Sequence, residues 1–170
     1  MGEPYRLLNL GCGKDIRPGW TNMDRNAFPG VDIVHDLCEV PWPFADGFFD
    51  HILASHVLEH VVDFASVWRE IGRVLKSGGT IEVRVPKGFN TDPYHVRYFD
   101  EWSIERLTSR SGKGCLDDEG ATFVEVSRRL RGGTGGFPWW HLEHYIGIRL
   151  PYGKFAGEIK RELVFVLRKQ

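Results

Sequence analysis

The chain has 170 residues, 42% hydrophobic and 26% charged, with a formal net charge of -1. Such a chain is expected to fold as one globular domain with a sizeable core; a disordered chain or a second domain of ordinary size is excluded. The near-zero charge gives no electrostatic footprint for nucleic acid or an anionic membrane, and no apolar run approaches the roughly 18 residues of a membrane span.

Residues 5–10 form a short, mostly apolar run that stops at Gly11 and Gly13. This reads as a buried strand breaking into a tight turn, with glycine permitting positive φ and close approach of a ligand to the backbone. Residues 14–20 contain Pro18 and Gly19 and read as a loop with no room for a long helix. Two short strands follow, over residues 21–23 and 31–35, closed by Asp24 and by Asp36-Leu37. A turn-rich connector holding Pro41, Pro43 and Gly47 leads to a stronger strand over residues 48–54.

Phe64, Val67, Trp68, Ile71, Val74 and Leu75 repeat at helical spacing, with Asp63 as the expected N-cap, Lys76 at the negative end and Gly78 at C′. Residues 80–85 alternate as a strand and stop at Pro86. Strand, helix and strand in this order predict a parallel sheet with right-handed crossovers. A further helix is expected over residues 102–109, and strands over 122–130 and 162–168. The expectation is a single α/β domain over residues 1–170. It has an open, mostly parallel Rossmann-like sheet, an antiparallel C-terminal strand, and residues 131–160 as an aromatic and glycine-rich insertion between the last two strands. That insertion, with Trp139, Trp140, His141 and His144, reads either as a wall over a substrate or as extra core or a dimer contact.

In an open α/β sheet, ligands bind outside the carboxyl ends of the strands. Gly11, Gly13 and Asp24 would lie there. An acid closing the second strand can accept the hydroxyls of a ribose, and Asp36 with Leu37 can meet the amino group and face of an adenine. Either acid can instead simply shape a turn. The third glycine of a dinucleotide fingerprint is replaced by Ile16, and Asp24 comes only eleven residues after Gly13. Both departures argue against a pyrophosphate and suit a nucleoside without phosphates.

Leu10-Gly11-Cys12-Gly13, Gly19-Trp20-x-Asn22-x-Asp24, Asp36-Leu37, Phe49-Asp50, Ser55-His56-Val57-Leu58-Glu59-His60 and Arg73-Val74-Leu75-Lys76-Ser77-Gly78-Gly79 together resemble the class I S-adenosylmethionine-dependent methyltransferases, in the small type-11-like branch. The resemblance runs from Leu7 to about Leu107. It implies S-adenosylmethionine as cofactor, with Gly11, Cys12 and Gly13 under its methionine part and Asp24 on the ribose. Asp36 and Leu37 would flank the adenine, and Ser55 and His56 would lie near the sulfonium. It also implies methyl transfer to a small or medium acceptor. A general base is needed only if that acceptor carries a proton, and His95 is the candidate.

Three readings compete. His56-x-x-Glu59-His60 matches the inverted zinc-protease string, but it follows a strand directly and precedes the helix, so no metal site is expected. A nucleotide-dependent oxidoreductase on the same sheet is opposed by the missing third glycine. A non-catalytic protein could keep the fold and the cofactor. Three cysteines without paired spacing, and no leader-like segment, lead to the expectation of a reducing cytoplasm. Nothing in the sequence reads as an oligomer contact of fixed kind.

Overall fold

The computed structural model describes residues 4–88, 93–100, 102–103, 107–108, 123–131 and 162–170. Its elements in chain order are β1 (Leu7–Leu10), β2 (Thr21–Asp24), β3 (Ile33–Val34), β4 (Phe49–Ser55), α1 (Phe64–Val74), β5 (Leu75–Pro86), β6 (Phe123–Arg131) and β7 (Glu162–Lys169). They form a seven-stranded sheet of order β3-β2-β1-β4-β5-β7-β6. β1 to β5 are mutually parallel, and β7 runs antiparallel to both of its neighbours. The expected mostly parallel sheet with an antiparallel C-terminal strand is therefore what the chain forms. The expected insertion over residues 131–160, apart from Arg131 at the end of β6, and half of the expected helix over residues 102–109 lie outside the described residues.

Leu8, Asn9 and Leu10 are all buried, as in a central parallel strand covered on both faces. β5 instead buries alternate residues, Ile81, Val83 and Val85, while Glu82 and Arg84 stay half-exposed. α1 turns Val67, Trp68, Ile71 and Val74 toward the sheet. Its start is set by Asp63, whose carboxylate accepts the Ser66 N–H at 3.1 Å. Asp63→Ala should lower the urea midpoint and Asp63→Asn restore it, since only the second keeps an oxygen for that amide; equal midpoints for the two variants would count against the cap.

The end of α1 departs from expectation. The helix stops at Val74, and Leu75 is already extended, at φ -81° and ψ 133°. The chain passes straight into β5, so Gly78, at φ +79°, is an irregular point in a strand rather than a helix C′. Lys76 is drawn away from the helix end by Asp50, at 2.7 Å.

As the sequence indicates, no helix joins β1 to β2. Two buried asparagines replace the hydrogen bonds a helix would have supplied. Asn9 Nδ2 donates to Asp15 O at 2.7 Å and to Asn22 Oδ1 at 3.1 Å. Asn22 Oδ1 also accepts the Arg17 N–H at 2.9 Å, and its Nδ2 donates to Arg17 O and Trp20 O at 3.1 and 3.2 Å. Buried backbone polar groups must be paired, and here one side chain pairs several of them. Among the described residues no helix is long and apolar enough to cross a membrane.

Candidate cofactor and acceptor site

Because β1 to β5 run in parallel, their carboxyl ends share one edge of the sheet. In the order β3-β2-β1-β4 that edge carries Asp36-Leu37, Asp24, Gly11 to Gly13, and Ser55-His56. The chain leaves β1 toward β2 on one side and returns to β4 on the other, so Gly11 sits at the switch in strand order.

The turn after β1 is built by glycine. Gly11 has φ +62° and Gly13 φ +51°. A Cβ on Gly11 would lie 2.3 Å from Cγ2 and 2.8 Å from Cβ of Val57, whereas a Cβ on Gly13 would meet nothing within 4 Å. The first glycine thus lets the turn nest against the segment after β4, and the second faces open space. Cys12 N–H donates to Met23 O at 3.0 Å, which ties the turn to β2. The Cys12 side chain is buried, and burial together with the Asp24 charge pushes its thiol up to about 11. It therefore stays protonated and lends the site only its backbone.

Asp24 is buried at the end of β2. Its Oδ2 accepts the Gly13 N–H at 2.8 Å, and its Oδ1 accepts Asn26 N–H at 2.8 Å and Asn26 Nδ2 at 3.1 Å. A carboxylate offers about four lone-pair sites. Three are engaged, so one hydroxyl can dock directly and a second requires the Asn26 amide to swing away. Asp36 Oδ1 accepts the Cys38 N–H at 2.9 Å, the turn-forming role open to it from sequence, while Leu37 beside it is buried.

On the other side, Ser55 ends β4 and His56 takes φ +51°, a left-handed conformation uncommon outside glycine. His56 N–H donates to Arg84 O at 2.9 Å, and its Nε2 is 2.8 Å from Oε1 of Glu162 at the start of β7. Its Nδ1 lies 3.5 Å from Oε1 of Glu59. The two carboxylates, Glu59 foremost and in spite of the cost of burial, hold the imidazole above its usual pKa. Glu162 was not singled out from sequence, because only the pairing of β5 with β7 brings it here. The segment Leu58–His60 is a single 3-10 turn, so the zinc-protease string does not lie on a helix. His95 stands beside His60, with ring centroids 4.7 Å apart in an edge-to-face arrangement.

Residues 6–83 match the model of a family described as a methyltransferase domain. Two proteins of Mycobacterium tuberculosis, each described as a probable S-adenosylmethionine-dependent methyltransferase, are 33% identical over 112 residues. The match covers 61% of this chain and 36% of theirs, so the chain spans about a third of the length of these curated relatives. The fold is shared with the cyclase SpnF, at TM-score 0.62 and 19% identity, covering 97% of this chain and 74% of that one. It is also shared with a Burkholderia thailandensis 1,6-didemethyltoxoflavin-N1-methyltransferase solved with bound 1,6-didemethyltoxoflavin and S-adenosylhomocysteine. There the TM-score is 0.61 and the identity 16%, with 98% and 72% of the two chains covered. An Archaeoglobus fulgidus methyltransferase aligns at TM-score 0.60 and 13% identity, covering 99% and 87%.

Proposed function

We propose, from the match of residues 6–83 to the methyltransferase-domain family, that the chain binds S-adenosylmethionine and moves the methyl group to a small or medium-sized acceptor. The observation that carries the reading is the joint geometry of Gly13 and Asp24. A buried acid is fixed by the turn glycine's own N–H, beside a position where a Cβ would meet nothing.

S-adenosylmethionine, when bound, supplies a methyl group already activated by a sulfonium and a neutral leaving group. The chain's task is then to bind, align and exclude water. Asp24 accepts a ribose hydroxyl on its remaining lone pair, and Asn26 gates the second. Leu37 packs on the adenine, with Asp36 beside its amino group. The Gly11 to Gly13 backbone passes under the methionine part, and the absence of a helix after it removes the usual seat of a phosphate. Ser55 and His56 line the floor next to the reacting carbon, and His95 takes the acceptor's proton where it carries one.

The test is calorimetric titration with S-adenosylmethionine and S-adenosylhomocysteine, on the wild type and on Asp24→Ala. Micromolar binding, weakened at least tenfold or about 1.4 kcal/mol by the substitution, is the expected result. No heat from either ligand with folded wild-type protein would remove the cofactor site. Binding without transfer to any acceptor in a broad panel would leave a cofactor-binding protein in place of an enzyme.

A further inference from the structure

We propose a binding site for a zinc-class divalent cation formed by Glu59, His60 and His95, which does not rest on cofactor binding. An imidazole that holds a cation no longer accepts a proton there, so with the site filled His95 is a ligand and not the acceptor's base. One donor atom from each of the three lies within 4.8 Å of the others. Glu59 is 1% exposed, and neither of its carboxylate oxygens has a hydrogen-bond partner. His56 approaches one of them only to 3.5 Å. A buried carboxylate with an imidazole at 3.5 Å and no hydrogen bond is costly, and such groups in proteins are protonated, more closely paired or bound to a cation.

Two further features favour the cation. His60 Nδ1 is 3.1 Å from Tyr94 O. A carbonyl only accepts, so Nδ1 carries the proton and Nε2 keeps its lone pair for a metal. A ligating imidazole whose other nitrogen donates to a carbonyl is the usual outer support of a metal site. The two segments that bring the donors together are also clamped to each other. Val96 N–H donates to Glu59 O at 3.0 Å, and the Arg97 guanidinium donates to Val61 O and Val62 O at 2.8 and 3.0 Å while lying over the Phe64 ring. His95 is held between these anchors, next to His60.

Two imidazoles and one carboxylate form the donor set of open zinc sites, with a fourth position left for water or substrate. Bonds of about 2.0–2.2 Å in a tetrahedron put donors about 3.4 Å apart, so the cluster closes by roughly an ångström on binding. Imidazole donors select zinc, cobalt or nickel over magnesium and calcium, which prefer oxygen. Glu59 is buried while His60 is exposed, which leaves an entry path from solvent. The site differs from the zinc-protease string, because His56 is engaged with Glu162 and the second imidazole comes from beyond β5.

The experiment is titration of the chelator-stripped full chain with Zn²⁺, with Co²⁺ as a spectroscopic probe. The expected result is one equivalent bound, visible absorption of a four- or five-coordinate cobalt site, and no competition from excess Mg²⁺. Glu59→Gln is near-isosteric and relieves a buried charge, so it should fold; it and His60→Ala should each weaken binding at least thirtyfold. A His141→Ala, His144→Ala double variant, which removes the other closely spaced pair, should bind as wild type does. Absence of binding overturns the proposal. So does binding unchanged by Glu59→Gln and His60→Ala, or binding abolished by loss of His141 and His144.

Discussion

Gly11→Ala is expected to destabilise the chain by about 2–5 kcal/mol and to eliminate cofactor binding. A left-handed φ costs a residue with a Cβ about 1–2 kcal/mol, and overpacking a filled site adds about 1–3 kcal/mol. The second cost applies because the new methyl would sit 2.3 Å from Cγ2 of Val57, a branched side chain with little freedom to rotate. The two costs can be separated. Adding Val57→Ala to the Gly11→Ala chain removes the 2.3 Å contact but keeps the Cβ at 2.8 Å, so it should recover only part of the overpacking share and leave the φ share. Gly13→Ala, with the same sign of φ but nothing within 4 Å, should lose only the smaller amount. Urea denaturation of the four chains gives the result. A Gly11→Ala cost below that of Gly13→Ala would mean that β1's turn does not pack on Val57.

Arg73→Met is expected to cost about 3 kcal/mol at neutral pH, the low end for breaking a buried ion pair, because the guanidinium is about a quarter exposed. Arg73 Nε donates to both oxygens of Glu70 at 3.0 Å, and its two terminal nitrogens reach Phe44 O, Trp42 O and Asp46. Glu70 also accepts the Trp42 N–H at 2.6 Å. Burial alone would raise the Glu70 carboxyl, but Arg73 and the Trp42 amide outweigh it and hold the group below its ordinary value of 4.5. A depressed carboxyl stabilises the fold above its unfolded pKa, and that contribution disappears as pH falls through the folded pKa. Without Arg73 the burial cost prevails, the folded carboxyl rises above 4.5, and protonation relieves the variant as pH drops. The stability gap between wild type and Arg73→Met should therefore be widest near pH 7 and narrow toward pH 4. Adding Glu70→Gln should close much of it at pH 7. A gap independent of pH would show that Arg73 acts through its carbonyl contacts alone.

The parts of the fold that follow from local chemistry were legible in the sequence. Asp63 is a side chain that can bond an amide three residues on, and α1 starts there. Gly11 and Gly13 end an apolar run, and β1 ends at them. The helix end was not legible, because Gly78 has the right chemistry for a cap while Leu75 is claimed earlier by β4, with Phe49 as its partner. The strand-end edge could be placed from the order of elements, but the occupancy of Asp24 could not, since Asn26 looks like any turn residue until its two donors are seen on one oxygen. Glu59 was the least legible. A charged residue between two histidines reads as solvent-facing, and its burial depends on a segment that returns to it after the whole of β5.

The position of β7 between β5 and β6 has a consequence for how the molecule assembles in time. Thr80 of β5 pairs with Arg168 of β7, so the outer edge of β5 is covered by chain made long after it. Parallel strands β1 to β5 can associate first, and β6 can pair with β7 as a separate antiparallel ribbon, since each needs only its own neighbours. Until the ribbon docks, β5 presents a row of unpaired amides beside Ile81, Val83 and Val85, a template on which another chain can build. The rate of that docking sets how long this edge stays open to such pairing.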